Sequence, residues 1–232
     1  KWPIYDEREL EALKEVLEGG YWTSVPYIFR GDMSLSKVHQ SEKRFAAYHD
    51  AKYGVATGSG TDALQIAFMA AGVRAGDEVL VPPNTFIAGV TPILHLDAVP
   101  IFVDVDPETL CIDPDRVEEA IAERTKVISP LHLGGYPCDT DRIMEITKRH
   151  GLKVVADSCH AHGTEWRGKK VASLSDLSAF SFQQAKQITS GEGGMTITKD
   201  EELYELCYMY HNDGRGMEEG EIYKVQGWNF RM

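Results

Sequence analysis

Lys153-Val154-Val155-Ala156-Asp157-Ser158-Cys159-His160-Ala161-His162-Gly163 is an apolar run of strand length that ends on a carboxylate and passes into a turn. On its amino-terminal side, Asp139 to His150 reads as an amphipathic helix, Lys126 to Ser129 as a strand, Pro114 to Glu123 as a helix and Pro100 to Val103 as a strand. The same alternation reaches further back, with a helix over Phe86 to Leu96, a strand over Glu78 to Val81, a helix over Thr61 to Ala71 and a strand over Tyr53 to Ala56. On the carboxyl side, Leu177 to Phe182 and Met195 to Thr198 complete the strands. Strands separated by helices of ~10 to 15 residues imply right-handed crossovers and a mostly parallel sheet covered on both faces. In such α/β sheets ligands gather at the carboxyl ends of the strands, which is where Asp157 falls.

Two helices precede this pattern. Asp6 to Leu17 puts Leu10, Leu13 and Leu17 on one face, has Asp6 as an N-cap and ends at Gly19-Gly20; the second covers Lys37 to His49. At 232 residues and 43% hydrophobic content, the chain suits one large domain with a substantial core. Its net charge of -12 disfavours nucleic acid as a partner, and acidic stretches such as Asp200 to Glu205 read as solvated helix faces. No apolar run approaches the ~20 residues of a membrane span, so the expected location is cytoplasmic. Four scattered cysteines without a CxxC pair read as reduced, mostly buried thiols.

Three segments carry chemistry. In Thr57-Gly58-Ser59-Gly60-Thr61-Asp62-Ala63-Leu64 a strand passes into a helix. Glycine lets the backbone approach a ligand, and the open N–H groups of a helix start suit a phosphate; the same residues also build ordinary N-caps. Asp157, after its apolar strand, needs a cationic or hydrogen-bonding partner if buried, and a protonated pyridine nitrogen is one such partner. Two other readings of that segment stay open: a turn-capping carboxylate beside satisfied histidines, or a metal site of Asp157, His160 and His162, whose spacing matches no strong zinc signature. In Ser178-Ala179-Phe180-Ser181-Phe182-Gln183-Gln184-Ala185-Lys186-Gln187-Ile188-Thr189-Ser190-Gly191-Glu192-Gly193-Gly194, a lysine leaves a strand into a glycine-rich loop, where partial desolvation prepares its amine for imine formation.

These motifs, in this order, resemble the DegT/DnrJ/EryC1/StrS family of sugar aminotransferases. Val81-Pro82-Pro83-Asn84-Thr85-Phe86, Ala98-Val99-Pro100-Ile101-Phe102-Val103-Asp104-Val105-Asp106 and Gly227-Trp228-Asn229-Phe230-Arg231-Met232 extend the resemblance along essentially the whole chain. It implies the large domain of a fold-type I pyridoxal-phosphate enzyme, a three-layer α/β/α unit with a mostly parallel mixed sheet over residues 1–232 and a helical lead-in. The family's small C-terminal domain, which follows the Gly-Trp-Asn-Phe-Arg-Met stretch, is expected to be absent from this chain.

By the same resemblance, Lys186 holds pyridoxal 5'-phosphate as a Schiff base and Asp157 pairs with its ring nitrogen. Gly60, Thr61 and Ser181 bind the phosphate, Phe86 stacks on the ring, and His160 lies near the ring hydroxyl. Asn229 reaches the phosphate in a neighbouring subunit, which implies a homodimer with shared active sites. The implied activity moves an amino group from glutamate or glutamine to a keto sugar or keto cyclitol, with nucleotide-linked keto sugars as the alternative acceptor. From other classes come a metal-dependent hydrolase built on Asp157, His160 and His162, and a non-catalytic cofactor-binding module.

Overall fold

The computed structural model describes residues 2–23, 33–217 and 222–232, and every candidate site residue falls within them. Nine strands and seven α-helices alternate along these segments: α1 (Glu7–Gly19), α2 (Lys37–Tyr48), β1 (Tyr53–Thr57), α3 (Gly60–Ala70), β2 (Glu78–Val81), α4 (Thr91–His95), β3 (Val99–Phe102), α5 (Pro114–Ala120), β4 (Thr125–Ile128), α6 (Thr140–His150), β5 (Lys153–Asp157), β6 (Glu165–Trp166), β7 (Lys169–Lys170), β8 (Leu177–Ser181), β9 (Gly194–Thr198) and α7 (Glu201–His211). Seven strands form one sheet in the order β1-β9-β8-β5-β4-β2-β3. Strand β9 runs antiparallel to both β1 and β8, while the pairings from β8 through β5, β4 and β2 to β3 are all parallel. The sheet is therefore mixed and mostly parallel.

Period-two side-chain alternation explains why both faces need cover. Val79, Val81, Val127, Val155, Leu177 and Ala179 pack with helix α3 in one buried cluster, whereas Leu80, Ile128 and Val154, their neighbours in sequence, pack with Ile143 and Ile146 of α6 in another. Phe180, Met195 and Ile197 join Ala46 of α2 in a third. Helix α3 is buried almost all round, with Ile66, Ala67 and Phe68 at 0% exposure, so it forms the central pillar under the sheet. Thr196 Oγ1 donates to the Ala63 carbonyl at 2.7 Å, tying that helix to β9.

Most of the expected elements are present within one or two residues, and the departures have local causes. The helix expected over Phe86 to Leu96 is broken into a 3-10 turn, Ile87–Gly89, and the short α4. Pro92 lies in the first turn of α4, where its fixed φ and missing N–H start a helix rather than continue one. Helix α5 stops at Ala120 instead of Glu123 because Ile121 is extended and the Ala122 N–H turns to Thr125 Oγ1. The β6–β7 hairpin was not anticipated, being two residues per strand and too short for a periodic signal. Asp6 caps α1 with a full capping box, but Leu10, Leu13 and Leu17 remain mostly exposed and the helix buries no residue among those described. No helix among the described residues is long and apolar enough to cross a membrane.

Candidate active site

The carboxyl ends of β5 and β8 and the amino end of α3 converge on a cavity of about 540 Å³. Its lining contains Gly60, Thr61, Phe86, Asp157, His160, Ser181 and Lys186, seven of the eight expected site residues. Four segments far apart in sequence thus share one volume.

The α3 end is built for close approach. Ser59 caps the helix, its Oγ accepting from the Asp62 N–H at 3.1 Å, which leaves the amides of Gly60 and Thr61 as first-turn donors without an intrahelical partner. A Cβ on Gly60 would lie 2.7 Å from Ser181 Cβ and 3.1 Å from Cys159 Sγ; one on Gly194 would lie 2.2 Å from the Ser59 carbonyl oxygen. Only glycine lets the turn, β8 and β9 meet so closely. Replacing Gly60 by alanine is expected to cost about 1–3 kcal/mol, the usual range for overpacking, read as a lowered urea midpoint with an unchanged slope.

Asp157 ends β5 almost fully buried, its backbone N–H donating to Pro130 and its carbonyl accepting from His132. Its Oδ1 accepts from the Cys159 N–H at 3.0 Å, and no side-chain cation among the described residues pairs with it. A carboxylate so placed on a cavity wall calls for a cationic hydrogen-bond donor in the cavity. Lys186, opposite in charge, is half-buried in a turn closed by its own N–H donating to the Gln183 carbonyl at 2.9 Å. Ser181 is buried at the end of β8, and its Oγ accepts from the Gln183 N–H at 3.3 Å. Phe86 stands at the rim, 72% exposed.

The histidines behave differently from metal ligands. His160 Nδ1 accepts from the Gly134 N–H at 3.3 Å, and burial, then the charge of Lys186, hold the ring below the usual histidine range. His162 lies between the Ser181 carbonyl (3.0 Å from Nε2) and the Gln187 side chain (3.1 Å from Nδ1), with burial pushing its pKa down to about 4. His162 is engaged at both ring nitrogens and His160 at Nδ1, and no group of three His, Cys, Asp or Glu residues among those described is arranged to hold a metal. The metal-dependent hydrolase reading is thereby overturned, and with it the grouping of Asp157, His160 and His162 as ligands.

Asn229 is the expected residue that does not line this cavity. It is exposed, bridged through its backbone to Asn212, while the next residues run beside the turn that leads into α3: the Phe230 carbonyl accepts from the Gly58 N–H at 2.9 Å and Arg231 pairs with Thr57. Gln183 and Glu192, which also line the cavity, were not singled out from the sequence. Gln183 had a signal, since it lies two residues after Ser181 and shares its face while the chain stays extended. Leu131 had none, because it arrives from the end of another strand.

The residues present fit a phosphorylated pyridine aldehyde: open helix amides, a hydroxyl, a buried carboxylate with no side-chain cation beside it among the described residues, and a primary amine all line one volume. Residues 3–232 match the model of the DegT/DnrJ/EryC1/StrS aminotransferase family. The chain is 39% identical over 231 residues to a putative L-glutamine:3-amino-2,3-dideoxy-scyllo-inosose aminotransferase of Streptoalloteichus tenebrarius, covering 99% of this chain and 54% of that protein. Among solved structures, 3-amino-5-hydroxybenzoic acid synthase superposes with a TM-score of 0.91 at 37% identity, covering 100% of this chain and 59% of the other. NtdA from Bacillus subtilis with bound cofactor PMP superposes at 0.85 with 37% identity, covering 96% and 48%. The chain spans about half the length of such relatives. By the extent of the match and the likeness of the fold, it belongs to the DegT/DnrJ/EryC1/StrS aminotransferase family.

Proposed function

We propose that this chain is the cofactor-binding part of a pyridoxal-phosphate-dependent aminotransferase that moves an amino group from glutamate or glutamine to a cyclic keto acceptor, a sugar or cyclitol. The observation that carries this reading is the meeting of Asp157, Lys186 and the amino end of α3 around one cavity. When bound, the cofactor supplies an electron sink for the carbanion left when the donor loses its α-proton. Asp157 would keep the pyridine nitrogen protonated. Gly60, Thr61 and Ser181 would hold the phosphate with two backbone amides and a hydroxyl, and Phe86 would cover one ring face. Lys186 Nζ would anchor the aldehyde and act as the base that takes and returns the proton at the donor's α carbon. The relatives' glutamine and inosose substrates support the donor and acceptor classes.

The test is reconstitution of the full-length protein with pyridoxal 5'-phosphate. It should turn yellow, and borohydride should fix a pyridoxyl group on the peptide carrying Lys186. L-glutamine or L-glutamate should bleach the colour, and a cyclic ketone should restore it. A colourless protein, or label on another lysine, would overturn the reading; a yellow protein that no amino donor bleaches would leave only a binding module.

A homodimer with shared sites is part of the proposal, supported by the exposure of Asn229 outside its own chain's cavity and beside the Gly58 turn. Mixing inactive Lys186→Ala with an impaired Asn229→Ala protein should regain part of the activity. In a two-fold dimer one site then keeps both residues while the other loses both. Subunit exchange is checked by mass spectrometry. Heterodimers without regained activity would show that Asn229 serves its own chain or none.

A further inference from the structure

His162 lies outside the lining of the cavity that holds Lys186, yet both of its ring nitrogens are engaged, and they reach the two ends of one loop. Nε2 meets the Ser181 carbonyl at 3.0 Å, where β8 ends, and Nδ1 meets the Gln187 side chain at 3.1 Å, directly after Lys186. The ring therefore spans the mouth of the 181–187 loop, with the amine-bearing residue just inside it. Phe180, Phe182 and Phe45 surround the ring at centroid distances of 5.3, 6.1 and 6.2 Å and fix its plane. His162 also follows Asp157 on the same segment, and the Gln187 amide reaches the His160 carbonyl of that segment at 3.1 Å. The loop carrying the amine is thus tied to the segment carrying the carboxylate. On its outer side the loop is held by Trp2, which closes an adjoining cavity beside Lys186 and whose indole Nε1–H donates to the Gln184 carbonyl at 2.6 Å.

The two arms have a defined polarity. A carbonyl only accepts, so the arm to Ser181 requires the proton on Nε2, and the neutral ring then offers a bare Nδ1. Burial, reinforced by the charges of His49 and Lys186, the titratable groups facing the ring, holds it neutral at neutral pH. Gln187 can meet that bare nitrogen through its NH₂. When the ring takes a second proton, Nδ1–H donates to Gln187 Oε1 instead, and the NH₂ is left for the His160 carbonyl. An amide, having both a donor and an acceptor end, closes the arm in either state; a carboxylate or an apolar side chain at this position would not.

We propose that His162 is the positioning residue for Lys186: it braces the 181–187 loop across its mouth and fixes the amine relative to Asp157, with Gln187 as its matching partner. This rests on the aminotransferase reading above and adds to it the device that holds the amine in place.

The test uses the full-length protein as wild type, His162→Phe, Gln187→Leu, their double variant and Gln187→Glu. Phenylalanine keeps the aromatic packing and removes both arms, whereas leucine at the exposed position 187 removes one. In cofactor-free protein, nitrogen-15 NMR should show a neutral His162 with its proton on Nε2. The Lys186 N–H, which donates to the Gln183 carbonyl at 2.9 Å, should exchange with solvent about tenfold faster in each single variant. In loaded protein, colour formation with pyridoxal 5'-phosphate and bleaching at saturating L-glutamine should each slow about tenfold, with the donor KM unchanged. The double variant should be no slower than His162→Phe, because one brace cannot be lost twice. Gln187→Glu, which offers acceptors only, should bleach slowly at neutral pH and recover as acid gives His162 its second proton, a pH step that wild type lacks. A proton on Nδ1 with Nε2 bare, unaltered exchange and rates in both single variants, or additive losses in the double variant would each overturn the proposal. Should His162→Phe fail to fold, the two Gln187 variants decide it. If wild type forms no colour, the aminotransferase reading fails, and the cofactor-free measurements still decide the brace.

Discussion

Lys186→Ala will give a folded protein that no longer turns yellow with pyridoxal 5'-phosphate and no longer transaminates. Lys186 lines the cavity that also holds Asp157 and the amino end of α3. Its ammonium has no ion pair among the described residues, and it sits in a surface turn rather than in any of the three core clusters. Removing it should therefore change stability by no more than about 0.5 kcal/mol, the usual range for surface sites without special contacts. The chemical loss is far larger. Proton transfer by a positioned base is worth roughly 10²–10⁴-fold by itself, and the amine's covalent hold on the aldehyde disappears as well. Absorbance and borohydride trapping read the covalent hold, turnover reads the proton transfer as well, and circular dichroism checks the fold. A variant that stays yellow, or turns over near the wild-type rate, would remove Lys186 from the mechanism.

Asp157→Asn should retain the fold and some cofactor while losing most turnover. Asparagine is nearly isosteric and keeps an oxygen for the Cys159 N–H, so the turn after β5 should survive. What it lacks is the negative charge on a nearly buried wall, 7% exposed, where fields are poorly screened by water. A neutral amide cannot hold a pyridine nitrogen protonated as a carboxylate does. Losing one preorganised electrostatic partner typically costs on the order of 10²–10³-fold in kcat, or about 3–4 kcal/mol at ~1.4 kcal/mol per tenfold. The check is kcat for the donor half-reaction at saturating cofactor, with circular dichroism to confirm folding. Near-normal turnover would make Asp157 a structural residue and put the ring's partner elsewhere.

The two substitutions also separate what each motif shows. Asp157 was legible because an apolar strand ends on it, and strand ends are where α/β sheets expose polar groups. Lys186 was legible only through its surroundings, since lysines in turns are common. Its reading depended on the Ser181 hydroxyl before it and the Gly-Glu-Gly-Gly turn after it, features whose spacing along one loop survives folding unchanged. The histidines show the opposite case. Asp157, His160 and His162 lie within six residues and read equally well as a ligand set or as satisfied neighbours, because local sequence does not say where a ring nitrogen points. Gly134 takes Nδ1 of His160, Ser181 and Gln187 take both nitrogens of His162, and no metal-binding group forms among the described residues.

The alternation of apolar strands and amphipathic helices was enough by itself to determine a mostly parallel α/β sheet, because periods of 2 and 3.6 residues are imposed by backbone geometry at each point in the chain. The position of β9, antiparallel between β1 and β8, came only with the tertiary structure, since strand order depends on which neighbours bury each other's faces. The same holds for the site. Sequence sufficed for the motifs, whose chemistry is carried by adjacent residues. Only the fold decided that Gly60 lies against Ser181, that Trp2 closes a cavity beside Lys186, and that Asn229 stays outside its own chain's cavity. Those are contacts between segments tens to hundreds of residues apart, and no local period encodes them.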